Sequence, residues 1–209
     1  MKLYCRMENE SYKYRQGEQI IWDRSGISLT AARRDWAAFQ LLLKSDEEFT
    51  LSTGSSPYFS PRGPLVNFRL YAEVEGLSVA GININPIGLI EDDDGIRKAD
   101  ILLHDETVYV EKGSVQPVWA EITVPESAKP GSYKGIVHIY THTMFEDEIL
   151  FDTLFFTLDI KDVVMPEPGD YRFHLDLWQH LSNISRKHEV CLWSDEHFNV
   201  IEGYVRSLA

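Results

Sequence analysis

Cysteine is almost absent from this 209-residue sequence. Cys5 and Cys191 lie far apart and make neither a disulfide framework nor a metal cluster. Long apolar runs are missing too: no stretch approaches the ~20 consecutive apolar residues of a membrane helix, so no helical span is expected. The opening residues MKLYCRMENE lack the apolar core of a signal peptide, and a cytoplasmic location is the expectation. Basic residues are scarce, with 20 Lys and Arg against 33 Asp and Glu and a formal charge of −13. An acidic chain repels phosphates, and no basic stripe offsets that, which argues against nucleic acid and anionic membranes as partners.

Several chemical signatures are missing as well. There is no G-x-S-x-G, Walker or dinucleotide-binding pattern. His138, His142, His174, His180, His188 and His197 have neither zincin nor zinc-finger spacing. The run Glu91-Asp92-Asp93-Asp94-Gly95 offers carboxylates but not the spacing of an EF-hand loop, and reads as a solvated acidic turn. No metal and no cofactor are therefore expected. An uncharged ligand, such as a sugar, is compatible with the charge.

What the sequence does contain is strand periodicity. Hydrophobic residues make up 44% and aromatics 12% of the chain, enough for a substantial core and against disorder. Over 66–74, Val66, Phe68, Leu70, Ala72 and Val74 alternate with Asn67, Arg69, Tyr71 and Glu73, which predicts a strand with the first set inward. The same pattern predicts strands at 118–124 and 154–160, with further candidates at 27–32, 36–44, 48–53 and 134–141. The 36–44 run has helix-forming residues, but Ala37, Phe39, Leu41 and Leu43 alternate, and a strand is preferred. Pro57, Pro61, Gly63 and Pro64 punctuate a polar loop at 52–64. Asp94-Gly95 and Pro130-Gly131 have the composition of tight turns. The expected fold is mainly β: an antiparallel β-sandwich, Ig-like or jelly-roll-like, over 1–168.

The composition changes at Met165-Pro-Glu-Pro-Gly-Asp170, a stiff polar joint typical of a domain boundary. Beyond it, Phe173, Leu175 and Leu177 predict one strand, an irregular stretch follows, and a helix begins at Ser194. Ser194 is a good N-cap and Asp195 and Glu196 suit the first turn. Phe198, Ile201, Val205 and Leu208 share one helical face. One strand and one helix cannot bury their own apolar surfaces. Residues 169–209 are accordingly expected to open a second domain whose remainder is missing.

Two stretches carry a family resemblance. AARRDWAAFQLLL at 31–43, followed by PVWAEITVPESAKPGSYKGIVHI at 117–139, resembles the N-terminal β-sandwich domain of glycoside hydrolase family 123 and its relatives. FHLDLWQHLSNISRKHEVCLWSDEHF at 173–198 is similar to the opening of that family's catalytic (β/α)8 barrel. The most specific parts are V-P-x-x-A-K-P-G-x-Y-x-G at 124–135 and LDLWQH followed by WSDEHF. The resemblance implies a bacterial protein acting on N-acetylated amino sugars, with β-N-acetylgalactosaminidase-like, substrate-assisted chemistry. In such enzymes an adjacent Asp-Glu pair helps the substrate's own acetamido group, a departure from the scheme of two protein carboxylates. That pair belongs to a later barrel strand. A full barrel needs ~250 residues, so no catalytic residue is expected in this chain and the chain alone should be inactive. Its carbohydrate partner would be bound through the missing barrel.

Candidate site residues follow. Asp176, Trp178, Gln179 and His180 would lie near the C-terminal end of a first barrel strand, the face on which such barrels build their sites. There they are candidates for substrate contact in the intact protein. Asp195-Glu196 is read as helix N-terminal charge, not as a catalytic pair. Trp119, Tyr133, Tyr140 and Phe155 fall on outward strand phases, as aromatics that either pack between domains or stack on sugar. The alternative to the hydrolase reading is a stand-alone carbohydrate-binding or structural interaction module.

Overall fold

The computed structural model describes residues 2–23, 26–54, 66–77, 81–143, 146–172, 176 and 178–208. It divides into two compact units, Met1–Pro166 and Glu167–Ala209.

Among its described residues the first unit has eleven strands: β1 (Leu3–Asn9), β2 (Ser28–Arg33), β3 (Asp35–Ser45), β4 (Phe49–Ser52), β5 (Val66–Val74), β6 (Gly81–Glu91), β7 (Arg97–Leu102), β8 (Thr107–Val110), β9 (Val115–Val124), β10 (Gly131–Thr143) and β11 (Ile149–Val164). They form a five-stranded sheet in the order β1-β3-β9-β6-β7 and a six-stranded sheet in the order β2-β11-β10-β5-β4-β8. The inward sets of both sheets share one core, with Phe39, Leu41, Val118, Ala120 and Ile122 from one and Phe68, Leu70, Val137, Ile139, Phe156 and Leu158 from the other. The alternation at 66–74, 118–124 and 154–160 thus has its expected inward faces.

The sequence predicts a wholly antiparallel sandwich, but two pairs are parallel: β2 with β11 and β4 with β5. Both exceptions bring strands together without a hairpin between them. Asn67 also departs from its expected outward phase. It is buried, accepts a hydrogen bond from Ser52 Oγ at 3.2 Å and donates to the Thr50 carbonyl at 3.0 Å. Those bonds tie β5 to its parallel neighbour and satisfy the amide away from water.

The outer face of the five-stranded sheet has its own cover. Leu42, Ile87 and Ala99 pack with Tyr14, and the partly buried Tyr12, Ile20, Trp22 and Trp119 join them. Residues 10–22 therefore roof this face, and Arg15 makes an isolated bridge to Lys98. This cover explains why β3 is buried on both faces, with Ala38, Gln40 and Leu42 as inaccessible as their inward neighbours. At the β6–β7 turn, Gly95 takes a positive φ of 71°, the conformation for which glycine suits that position. Asp92 and Asp94 pair with Lys98 at 2.5 and 2.9 Å.

The described residues of the second unit contain a 3₁₀ turn (Pro168–Asp170), α1 (Leu181–His188) and α2 (Asp195–Leu208). The stretch expected to be irregular therefore holds a helix. Its sequence hides it, because His180 at the N-cap position makes no side-chain cap bond. Arg186, Lys187 and His188 in its last turn complement the helix dipole. Glu189 ends it in the left-handed conformation, φ 55°, while Val190 N–H donates to the Ser185 carbonyl at 3.1 Å. The expected strand at Phe173, Leu175 and Leu177, with His174, lies outside the described residues. The described residues of this unit show two helices and do not establish a barrel unit.

Candidate functional site

Ser194 caps α2 as expected, its Oγ accepting from His197 N–H at 3.2 Å. Asp195 and Glu196 follow in the first turn, on the exposed surface. The side chain that organises this unit is one that pattern reasoning passed over. His197 is fully buried; its Nδ1 accepts from Trp193 N–H at 3.0 Å and its Nε2 lies 3.0 Å from the Leu181 carbonyl. That geometry fixes a neutral tautomer with the proton on Nε2. One imidazole thus pins the start of α1 to the start of α2. Of the apolar face expected on α2, only Ile201 is buried; Phe198, Val205 and Leu208 are about half exposed.

The stretch 176–180 presents its polar groups outward. Asp176, Trp178, Gln179 and His180 are all exposed, and among the described residues Trp178 is the most open of the large apolar side chains at 89%. Trp178 Nε1 donates to Asp176 Oδ2 at 3.2 Å, so two of the four candidates are brought together. An indole plane beside a carboxylate can meet a sugar's C–H face and one of its hydroxyls.

The outer face of the six-stranded sheet holds two of the expected outward aromatics. Arg69 faces Tyr140 and Tyr71 faces His138 across the β5–β10 pair. Arg69 makes a bidentate ion pair with Glu148 at 2.8 and 2.7 Å, and its guanidinium lies 4.6 Å from the Tyr140 ring centre. The bond to Glu148 holds the guanidinium above its ordinary pKa. His138 Nε2 sits 3.0 Å from Glu73 and stacks on Tyr71 at 6.0 Å. Phe155 is 49% exposed, with Lys134 Nζ 4.6 Å from its ring centre. Tyr140 and Phe155 therefore each carry a cation on one ring face.

Trp119 and Tyr133 differ from the outward reading. Trp119 is on the outer side of its sheet, but the 10–22 segment covers it, and its Nε1 is buried without a partner. Tyr133 packs against the main core and its hydroxyl donates to the Lys129 carbonyl at 2.8 Å, closing the turn before β10. Period-two alternation assigns a residue to a face but says nothing of whether another segment covers that face.

Among the described residues, no three or more His, Cys, Asp or Glu side chains gather into a metal-binding group. No described helix is long and apolar enough to cross a membrane.

Comparison with known proteins gives two family matches along the chain. Residues 90–141 match the glycoside hydrolase 123 N-terminal domain, and residues 178–209 match the glycoside hydrolase 123 catalytic domain. Among solved structures, a family 123 glycoside hydrolase from Clostridium perfringens, studied for glycolipid glycan hydrolysis, is similar over 99% of this chain with TM-score 0.69 and 17% identity. This chain spans 36% of that enzyme's length. A PapD-like domain of human CEP192 aligns over 78% of this chain and 87% of its own length, but with TM-score 0.32 and 13% identity. The comparison with curated proteins returns no match.

Proposed function

We propose that this glycoside hydrolase family 123-like protein comprises the N-terminal, non-catalytic β domain of a hydrolase acting on N-acetylated amino sugars, followed by the opening of its catalytic domain. The carrying observation is the order of the two family matches: N-terminal domain at 90–141, catalytic domain at 178–209. In this reading 1–168 supports the catalytic domain that begins near 169. The acid and base groups of a β-N-acetylgalactosaminidase-like reaction lie in the part of the catalytic domain beyond these residues. Asp176, Trp178, Gln179 and His180 then contribute to the rim of the substrate site, and Tyr140 and Phe155 to packing between domains. The setting is bacterial and cytoplasmic.

The half-exposed face of Phe198, Val205 and Leu208 supports the same reading, because an amphipathic helix of a barrel is covered by neighbours. The test is hydrolysis of a chromogenic N-acetyl-β-galactosaminide by the folded 209-residue chain. No turnover above buffer is expected. Turnover that co-purifies with the chain and falls on Asp195→Asn or Glu196→Gln would overturn the proposal.

A further inference from the structure

Strand β7 ends the five-stranded sheet and β8 ends the six-stranded one. The chain itself caps the edge of β7: Ala99 N–H donates to the Tyr14 carbonyl at 2.8 Å and Gln16 N–H to the Arg97 carbonyl at 2.8 Å. Among the described residues no segment caps β8 in this way. Its register with β4 sets Val110 opposite Phe49 and Val108 opposite Leu51. Thr53 N–H continues that register by donating to the Glu106 carbonyl at 2.8 Å. Residues that exchange ladder bonds alternate along an antiparallel pair. Glu106, Val108 and Val110 therefore turn their backbone groups toward β4, and Thr107 and Tyr109 turn theirs away from the sheet. Such an edge is a template for a further strand.

A groove of about 640 Å³ lies beside β8, with Leu89, Leu103, Val108 and Val110 among its walls. Tyr109 also lines it, 55% exposed, its hydroxyl donating to Glu48 at 2.8 Å. Apolar walls next to open backbone groups suit an extended peptide. The charges within the groove balance, Lys44 and Arg97 against Glu18 and Glu111. Those flanking β8 do not: Asp105, Glu106 and Glu48 stand against Lys112 alone. A second copy is a poor occupant for this reason. Pairing β8 with itself through Thr107 and Tyr109 would set each Asp105 opposite a Glu111, and like charges so placed destabilise a strand pair. We propose that the free edge of β8 takes an added strand from a basic polypeptide segment, its backbone pairing with Thr107 and Tyr109 and its Lys or Arg side chains falling opposite Asp105 and Glu111. The site belongs wholly to the first unit and does not rest on the hydrolase reading.

The test uses the full chain labelled with ¹⁵N, the basic peptide Ac-KVTVTVK-NH2 and its acidic counterpart Ac-EVTVTVE-NH2. The basic peptide should slow hydrogen exchange at the Thr107 and Tyr109 amides and leave Val108 and Val110, already bonded to β4, unchanged. The acidic peptide should do neither, and added salt should weaken the response. Tyr109→Pro removes a donor on the free side only, which an edge strand tolerates. It should weaken binding of the basic peptide, read by calorimetry, by about 2- to 13-fold or more, the worth of one neutral hydrogen bond. Asp105→Lys/Glu111→Lys, at exposed positions, should reverse the preference in favour of the acidic peptide. No change at Thr107 and Tyr109 up to millimolar peptide, or an equal response to the two peptides, would overturn the proposal. Protection of these two amides that rises with protein concentration in the absence of peptide would overturn it as well, by giving the edge to a second copy.

Discussion

Gly135→Ala is the substitution whose effect the structure fixes most tightly. Gly135 lies in β10 directly opposite Phe156 of β11. A Cβ built on it would fall 2.1 Å from two atoms of the Phe156 ring, far inside van der Waals contact. The ring cannot step aside freely. It is 3% exposed, and its centre is 4.9 Å from that of the fully buried Phe39. Either the two strands separate, an overpacking strain of about 1–3 kcal/mol, or the ring leaves its place and forfeits part of the ~3–5 kcal/mol that a buried Phe contributes. The expected loss is about 2–4 kcal/mol, with a fall in Tm of about 4–16 °C for a domain of this size. Thermal and urea unfolding followed by near-ultraviolet circular dichroism measures it. Adding Phe156→Leu to Gly135→Ala makes room, and the double variant should be more stable than the sum of the two single losses requires. A Gly135→Ala protein that unfolds within a degree of the parent would refute the close approach on which the argument stands.

Gly203, in the exposed middle of α2 with nothing within 4 Å of a built Cβ, should behave oppositely. Gly203→Ala is expected to raise α2 stability by about 0.5–1 kcal/mol, visible as greater amide exchange protection over Asp195–Leu208. Glu148→Gln leaves the mostly buried Arg69 guanidinium without its counter-charge and should cost about 1–3 kcal/mol in urea denaturation, with Arg69→Met/Glu148→Leu recovering part of it. His197→Phe removes both the acceptor for Trp193 and the partner of Leu181, so amide protection should fall across α1 and α2 while the sheets keep theirs. Burial raises the pKa of Tyr14 from its ordinary 10.0, and burial with the Glu18 hydrogen bond raises that of Tyr12. Above pH 10 the unfolded chain therefore releases protons that the folded one keeps, and stability falls as pH rises. Tyr14→Phe should flatten that slope. The Lys98 hydrogen bonds hold Asp92 and Asp94 below the usual carboxylate range. Their contribution is present above the ordinary aspartate pKa and disappears as pH falls through the depressed values; Lys98→Met should reduce it in acid titration of stability, leaving the part owed to the Asp93 and Ile96 backbone N–H bonds.

The strands that alternate cleanly were legible because each has one covered face: 66–74 in β5 and 154–160 in β11 keep Tyr71 and Phe155 open to solvent. Where both faces are covered, alternation fails as a guide. Gln40 and Trp119 read as outward by phase, and only the distant 10–22 segment takes them out of solvent. The strands β1, β6, β7 and β8 passed unnoticed for a related reason. The intermediate and exposed residues of β6 and β7 give no strong period. Helix α1 was missed because its His180 cap lacks a side-chain bond, whereas Ser194 announced α2 through the hydroxyl that does cap it. Among the candidate site residues, Asp176 and Trp178 do meet. His197 escaped notice because its role depends on two backbone groups, at Leu181 and Trp193, that no spacing rule connects.

The most direct test of the central claim compares hydrolysis of a chromogenic N-acetyl-β-galactosaminide by the 209-residue chain with hydrolysis by the longest polypeptide that its reading frame encodes. The account predicts no turnover from the 209 residues and turnover from a longer product that completes the catalytic domain. Turnover by the 209-residue chain itself, or a frame that stops at Ala209, would contradict it.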